Sequence, residues 1–288
     1  MIFPALMRST YQPLTGTLPR PVQRRGQAPV VGGFDNFLRP LVERSATSSR
    51  LQCREIGEFY HGTQRFFIPR LIFRGPPGGG DLVRLGVFAS IHGDEPEGAF
   101  ALRELLLELD RQPELAMGYE LVVYPVCNPS GFEDHTRRSR AGRDLNREFW
   151  RGSKQPEVYF LERELGVMEF DGLISLHSDD TAEGVYAYVR GATLTEALAK
   201  AALAAAGEFL PVAAGELIDG FPATSGLIRE RCYDGVLSDP TELRPPPFEI
   251  IFETPQHAPR ALQVAATRAA LRAVLAEYRA LLAYGQNL

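Results

Sequence analysis

A histidine and a glutamate three residues apart, His92 and Glu95, follow directly on an apolar run from Leu82 to Ile91. In the first turn of a helix, positions i and i+3 share a face, so an imidazole and a carboxylate there can reach one cation together. Asp94 is placed to cap the helix that follows, with Glu97 three residues on and Pro96 in the first turn, where a missing N–H is tolerated. The plain alternative for so short a pattern is an exposed polar loop ahead of a helix. A second histidine, His177, closes another apolar run, Gly172 to Leu176, and Glu253 closes a third, Phe248 to Phe252. Two imidazoles and one carboxylate form a catalytic type of zinc set, because three protein ligands leave a coordination position for water. Proton transfer then needs a further group, and Glu253 is the natural general base. A basic cluster lies between Thr136 and Arg147. An arginine from it can stabilise charge on a carbonyl oxygen or hold a substrate carboxylate through a bidentate pair.

These residues need elements to bring them together. Apolar stretches at Arg54–Phe59, Phe66–Phe73, Leu82–Ile91, Glu120–Cys127, Gly172–Leu176, Val185–Val189 and Phe248–Glu253 read as strands. Helical spacing is seen in Phe34–Arg44, Gly98–Leu109, Gln155–Phe170, Leu194–Phe209 and Ala258–Tyr284, the first of these short. The glycine-rich stretch from Gly75 to Asp81 lacks a following Gly-Lys-Ser/Thr and reads as a hairpin turn rather than a phosphate loop. Pro222 to Gly235 is irregular, and Pro240 to Pro247 is expected to be a surface loop. Strands separated by helices imply an α/β protein with a mainly parallel sheet. In such sheets, sites form in the crevice beyond the carboxyl ends of the strands. His92 with Glu95, the loop at Asn128, His177 and Glu253 all sit at such ends.

The bulk composition sets outer limits. The 288-residue chain is 44% hydrophobic and 23% charged, ordinary for a globular protein with a sizeable core. A net charge of −5, with basic residues dispersed outside the one cluster, argues against nucleic acid as a partner. Cys53, Cys127 and Cys232 are far apart and suit free thiols in a reducing compartment, not a disulfide framework. No apolar run reaches the roughly 18 residues of a membrane span, and Met1–Met7 is too short for a signal peptide, so a cytoplasmic enzyme away from membranes is expected. Residues 1–30 hold five prolines and read as an extended arm ahead of a catalytic domain over 31–288. Nothing here sets the oligomeric state.

In order along the chain, His92-Gly93-Asp94-Glu95, Asn128-Pro129, Arg137-Arg138-Ser139-Arg140, Asp144-Leu145-Asn146-Arg147, Ser175-Leu176-His177-Ser178 and Phe252-Glu253-Thr254-Pro255 resemble the zinc carboxypeptidase superfamily. That superfamily also includes aspartoacylase and succinylglutamate desuccinylase-like deacylases and bacterial murein-peptide amidases. The resemblance implies a three-layer αβα fold with a twisted, mixed but mainly parallel central sheet. It implies one zinc per chain on His92, Glu95 and His177, with Glu253 activating water. Asn146 and Arg147 would grip the free carboxylate of a substrate, and Arg137 would stabilise the oxyanion, with Arg138 and Arg140 near enough to compete for that place. Asp144 would orient His92, and Tyr233 stands where carboxypeptidases place a mobile tyrosine. The reading from these pieces is a hydrolase of a peptide-like amide beside a free carboxylate, acting on a small peptide. N-acyl amino acid deacylation is the first alternative and a non-catalytic metal- or ligand-binding module the second. Deacylases of the aspartoacylase type usually carry a further domain, whereas this chain ends in a helix soon after Glu253. Asp239 and Glu242 lie where a carboxypeptidase selects a cationic end, though a solvated loop explains them as well.

Overall fold

The computed structural model describes residues 33–229, 235–237 and 247–285. The arm at 1–30, Tyr233, Asp239 and Glu242 therefore lie outside the described residues.

Helix α1 (Gly33–Ser45) precedes the hairpin of β1 (Leu51–His61) and β2 (Gln64–Arg74), which turns at Gly62 with φ +61. Next come β3 (Val83–Ala89), α2 (Glu97–Arg111), β4 (Tyr119–Tyr124), the short α3 (Pro129–Asp134) and α4 (Pro156–Val167). Strands β5 (Gly172–Asp179) and β6 (Tyr186–Gly191) lead into α5 (Thr195–Ala206). Three short strands, β7 (Leu217–Ile218), β8 (Phe221–Thr224) and β9 (Leu227–Ile228), precede β10 (Phe248–Pro255) and the long α6 (Arg260–Gly285). One ten-stranded sheet results, in the order β1-β2-β4-β3-β5-β10-β6-β9-β8-β7.

The parallel part of the sheet is its centre, where β4, β3, β5 and β10 run the same way. Antiparallel pairs extend it on both sides, β1-β2-β4 on one and β10-β6 on the other, where the antiparallel β7–β9 meander joins β6 through a short parallel pairing with β9. Each central strand alternates its side chains between two cores. Ile174 and Leu176 of β5 join Leu85, Val87, Phe248 and Phe252 against α1, α2, α5 and α6. Leu173 and Ile251 face the other way, with Phe88, Tyr124 and the Val158, Leu161 and Leu165 stripe of α4. Helices thus cover both faces, the three-layer αβα arrangement expected. Because the period is two, His177 and Glu253 share the α4 side of the sheet with Leu173 and Ile251.

The register of β5 against β10 is pinned by size. Gly172 lies opposite Phe248, and a Cβ on Gly172 would stand 2.1 Å from the Phe248 ring. With that pair fixed, Glu253 falls opposite His177. A slip of one residue would turn both side chains to the other face.

Two expectations fail. The stretch from Gly75 to Asp81 is not a hairpin turn, since β4 inserts between β2 and β3. It is a crossover that packs against the turn before β4, where Gly118 N–H donates to Pro76 O at 2.7 Å and a Cβ on Gly75 would stand 1.7 Å from Ala116 O. The segment from Pro222, expected to be irregular, contains β8 and β9. Their turns are Asp219-Gly220 (φ +49, +76) and Ser225-Gly226 (φ +52, +74), dipeptides that favour tight hairpins through positive φ. The strands were missed because they are two to four residues long and carry no readable alternation.

One buried group makes stability depend on pH. Glu157, in the first turn of α4, is fully buried, and neither carboxyl oxygen has a hydrogen-bond partner among the described residues. His61 Nε2 is 3.9 Å away, too far for a hydrogen bond. Burial pushes the Glu157 carboxyl up from 4.5 to about 7 and holds the His61 imidazolium below its usual value. The unfolded chain releases the Glu157 proton first, so stability falls as pH rises from about 4.5 to about 7 and stays reduced above. Glu157→Gln removes that fall, making the variant more stable relative to the parent at pH 8 than at pH 5 by up to about 3 kcal/mol. Denaturant melts at the two pH values check this, and parallel pH profiles for parent and variant would contradict it.

Candidate metal and hydrolytic site

The site forms where the central strands end. Beyond β3 the pairing with the β4 strand continues, with Cys127 N–H donating to Ala89 O at 3.0 Å and Asn128 N–H to Ser90 O at 2.9 Å. Ser90 then takes φ +48, a left-handed conformation that costs a non-glycine residue about 1 kcal/mol or more. That reversal lifts His92 to Glu95 into a tight turn closed by Glu95 N–H to His92 O at 3.3 Å, with the Ser90 hydroxyl donating to Glu95 O. His92 and Glu95 therefore sit in a turn ahead of α2, not in its first helical turn as the spacing predicts. Asp94 is not the cap either: Pro96 occupies the N-cap position and no side chain caps the helix. Gly93 is required because a Cβ would stand 1.9 Å from the backbone of Gly131 in α3.

Asn128 holds the turn from the other side. Its Oδ1 accepts from Gly131 N–H at 2.9 Å, capping α3, while its Nδ2 donates to Ile91 O and Arg137 O, both at 3.4 Å. One buried amide thereby joins the His92 turn to the arginine loop.

His92, Glu95 and His177 bring one ligand atom each within 4.8 Å of one another, all buried. Glu95 Oε1 lies 2.6 Å from His92 Nδ1, and its Oε2 lies 3.0 Å from His177 Nδ1 and accepts from Ser178 N–H at 3.1 Å. His92 Nε2 meets Asp144 Oδ1 at 3.2 Å. A ring nitrogen held by a carboxylate leaves the other aimed at the cluster, the usual support of a metal-binding imidazole. Burial alone would raise the Glu95 pKa, but the hydrogen bonds from His177 and His92 outweigh it and hold the carboxylate ionised. Burial acts on His92 in the opposite sense and is outweighed by Asp144 and Glu95, so its pKa rises; for His177 burial prevails over the bond to Glu95 and leaves it below its ordinary value. Burial also works against the Asp144 charge, yet hydrogen bonding to His92 and the charges of Arg137 and Arg147 hold its carboxyl far below the usual range. Two imidazole nitrogens and an ionised carboxylate, buried and converging, fit a divalent cation that prefers mixed nitrogen and oxygen donors.

Of the three clustered arginines, Arg137 is the one aimed at the cluster. Its Nη1 is 3.4 Å from Glu95 Oε1 and its Nε donates to Asp144 Oδ2 at 3.2 Å. Arg138 donates to Gly142 O on the surface, and Arg140 makes a bidentate pair with Asp134 and stacks over Phe66. Asn146 and Arg147 lie on the 3-10 turn after Asp144, whose Oδ1 accepts from Asn146 N–H. The Asn146 Oδ1 accepts from Val236 N–H at 3.2 Å.

His92, Glu95, His177, Arg137, Asn146 and Arg147, with Glu253, line one cleft of ≈ 590 Å³. Glu253 faces it from the end of β10. Burial and the nearby carboxylates of Glu95, Asp179 and Asp219 raise its pKa well above the ordinary range, opposed by Arg137. The wall opposite the arginines went unread in the sequence. Tyr186 OH donates to Asp179 at 2.9 Å and Tyr188 OH to Asp219 at 2.5 Å, with Phe221 edge-on to Tyr188. Asp179 was visible just past His177, but Asp219 arrives on the unread β7–β8 turn. His135 and His257 are exposed and outside the His–Glu–His cluster.

The profile of the succinylglutamate desuccinylase/aspartoacylase catalytic domain matches residues 81–215. No curated protein matches the chain in sequence. Among solved structures, the fold is similar to a Shewanella amazonensis protein with a provisional metallopeptidase assignment, at TM-score 0.68 and 26% identity over 84% of this chain and 90% of that one. It is similar to a metallo-carboxypeptidase from Burkholderia cenocepacia, at TM-score 0.62 and 17% identity over 85% and 68% of the two chains. A product-bound ectoine utilization protein, EutE (DoeB), from Ruegeria pomeroyi is similar at TM-score 0.52 and 19% identity over 78% and 66%.

Proposed function

We propose, from the profile match over residues 81–215 and the similarity to the zinc carboxypeptidase-like superfamily, that the chain is a zinc-dependent hydrolase of a peptide-like amide bond next to a free carboxylate. The observation that carries the reading is the convergence in one cleft of the His92–Glu95–His177 cluster, Glu253, and the pair Arg137 and Arg147. His92, Glu95 and His177 would hold the zinc, with Asp144 orienting His92. Zinc held there supplies Lewis acidity and lowers the pKa of water toward about 7.

The remaining chemistry falls to side chains of this protein. Asn146 and Arg147 grip the carboxylate of the substrate and thereby fix where its amide carbonyl lies. Glu253 takes the proton of the attacking water and returns it to the leaving nitrogen, as a single carboxyl acting first as base and then as acid. Its raised proton affinity suits that task, and positive charge held by the triad would offset part of the rise. Arg137 faces the carbonyl oxygen and stabilises the charge that develops on it. The substrate is a small peptide.

Removal of an N-acyl group from an amino acid is the second reading, and the desuccinylase/aspartoacylase profile match favours it. It uses the same groups, since an N-acyl amino acid is also an amide beside a carboxylate.

Glu253→Gln keeps the shape and removes the base. It is expected to retain bound zinc while lowering kcat by about 100-fold or more, measured on the same preparation by metal analysis and steady-state hydrolysis. Turnover equal to the parent would remove Glu253 from the mechanism. Arg147→Ala is expected to raise KM for substrates with a free carboxylate and to leave their amidated counterparts little changed; equal effects on both would contradict the carboxylate grip.

A further inference from the structure

Behind the cleft lies a buried hydrogen-bond hub that no part of the chemistry above uses. Gln263, in the first turns of α6, is 1% exposed, and it meets Thr254 (1%) and Ser178 (7%) at the ends of β10 and β5. The Gln263 Oε1 accepts from the Thr254 hydroxyl at 2.9 Å and from the Ser178 hydroxyl at 3.2 Å. Its Nε2 donates to Ala258 O at 2.7 Å and to Gln256 O at 3.2 Å. Both lone-pair directions of the amide oxygen and both N–H groups are thus satisfied, which fixes the orientation of the amide.

Three of the four partners of this amide touch a segment that carries a proposed ligand. Ser178 N–H donates to Glu95 Oε2. The one Thr254 hydroxyl proton goes to Gln263, so Thr254 Oγ1 lies beside His177 O, at 3.4 Å, as a close contact, and Thr254 follows Glu253. Gln256, whose backbone carbonyl Gln263 holds, reaches back with its own Nε2 to Asp94 O in the turn between His92 and Glu95, at 3.4 Å. The two ligand-bearing segments, the His92 turn and the end of β5, follow neighbouring strands whose pairing stops at Ala89 and Leu176. Parallel pairing aligns strands along their length but ends before the turns that carry chemistry.

We propose that Gln263 is the positioning residue that sets the mutual alignment of His92, Glu95 and His177, acting through Ser178, Thr254 and Gln256. The inference rests on the zinc-site reading above. It gives α6, which otherwise packs apolar surface, accepts from the buried Tyr119 hydroxyl at Leu275 O and pairs its arginines with α2, a role in the affinity of the site. An apolar side chain of similar length keeps the packing volume but removes one partner from each of two hydroxyls and two carbonyls, leaving only the 3.1 Å side-chain contact of Ser178 Oγ with Thr254 Oγ1 between the strand ends, which lose their tie to α6.

The test compares the full-length parent with Gln263→Met and the milder, near-isosteric Thr254→Val. Zinc affinity is measured by competition with a chromophoric chelator, thermal midpoints on zinc-free protein, and kcat and KM on zinc-loaded protein. The expected result is zinc binding weakened about 10–100-fold in Gln263→Met, and weakened less but in the same sense in Thr254→Val. A lower kcat with KM within about two-fold of the parent should accompany it. If Gln263→Met does not fold, Thr254→Val decides. Parental zinc affinity in the folded variants, even with a lowered zinc-free midpoint, would overturn the proposal and leave Gln263 a purely structural residue. A parent that binds no zinc would instead sink the zinc-site reading on which the proposal stands.

Discussion

A carboxylate with almost no solvent, Glu95, is the constraint around which the molecule is arranged. An ionised carboxyl taken out of water is tolerated only when positive or hydrogen-bond-donating groups surround it. Here four groups supply them: His92 within its own turn, His177 and the Ser178 amide from the end of β5, and Arg137 from the loop after α3. Removing one leaves part of the buried charge without compensation. The strand ends must therefore meet to within a few tenths of an ångström, and much of the surrounding architecture can be understood as what enforces that meeting.

Enforcement begins in the apolar layers. The alternation of β5 sends Ile174 and Leu176 into the core under α1, α2, α5 and α6, and that leaves His177 on the opposite face with Glu253 of the next strand. Gly172 under the Phe248 ring excludes a slipped register. Polar ties then carry precision past the point where the sheet stops, Asn128 on the arginine side and Gln263 on the side of α6. The strained Ser90 marks the place where regular pairing gives way to the ligand turn. Rigid strands with a single strained residue at their end are a common way to hold reactive groups in fixed geometry.

The parts of this arrangement that were legible in the sequence are those with a local signal. Apolar runs closing on His92, His177 and Glu253 disclosed the strands and the gathering of those side chains at one edge of the sheet, since parallel sheets place strand ends together. The arginine cluster was visible as a group, but the member aimed inward was not. Only the pairing of Arg140 with Asp134 and the contact of Arg137 with Asp144 and Glu95 separate them, and those are tertiary facts. The insertion of β4 between β2 and β3 was hidden because a glycine-rich connection looks the same whether it turns back or crosses over. The β7–β9 meander was too short to show a period, although its Asp-Gly and Ser-Gly turns were present to be read. Gln263 gave no signal at all: within an alanine-rich helix a glutamine reads as solvated, and only the packing of α6 over the strand ends buries it. Tyr233 lies outside the described residues.

The cleft is lined by both signs of charge, Arg137 and Arg147 together with Asp179, Asp219 and Glu253. Basic groups beside the His–Glu–His cluster suit the proposed substrate, held by its carboxylate while its amide is presented to the triad. The claim on which this account stands is that hydrolysis depends on a single cation held by the His92, Glu95 and His177 cluster. The most direct measurement strips the protein with a chelator and titrates zinc back while following release of product from short peptides and N-acyl amino acids. The account predicts activity lost on stripping and restored linearly up to one zinc per chain. Full activity in the stripped protein would contradict it.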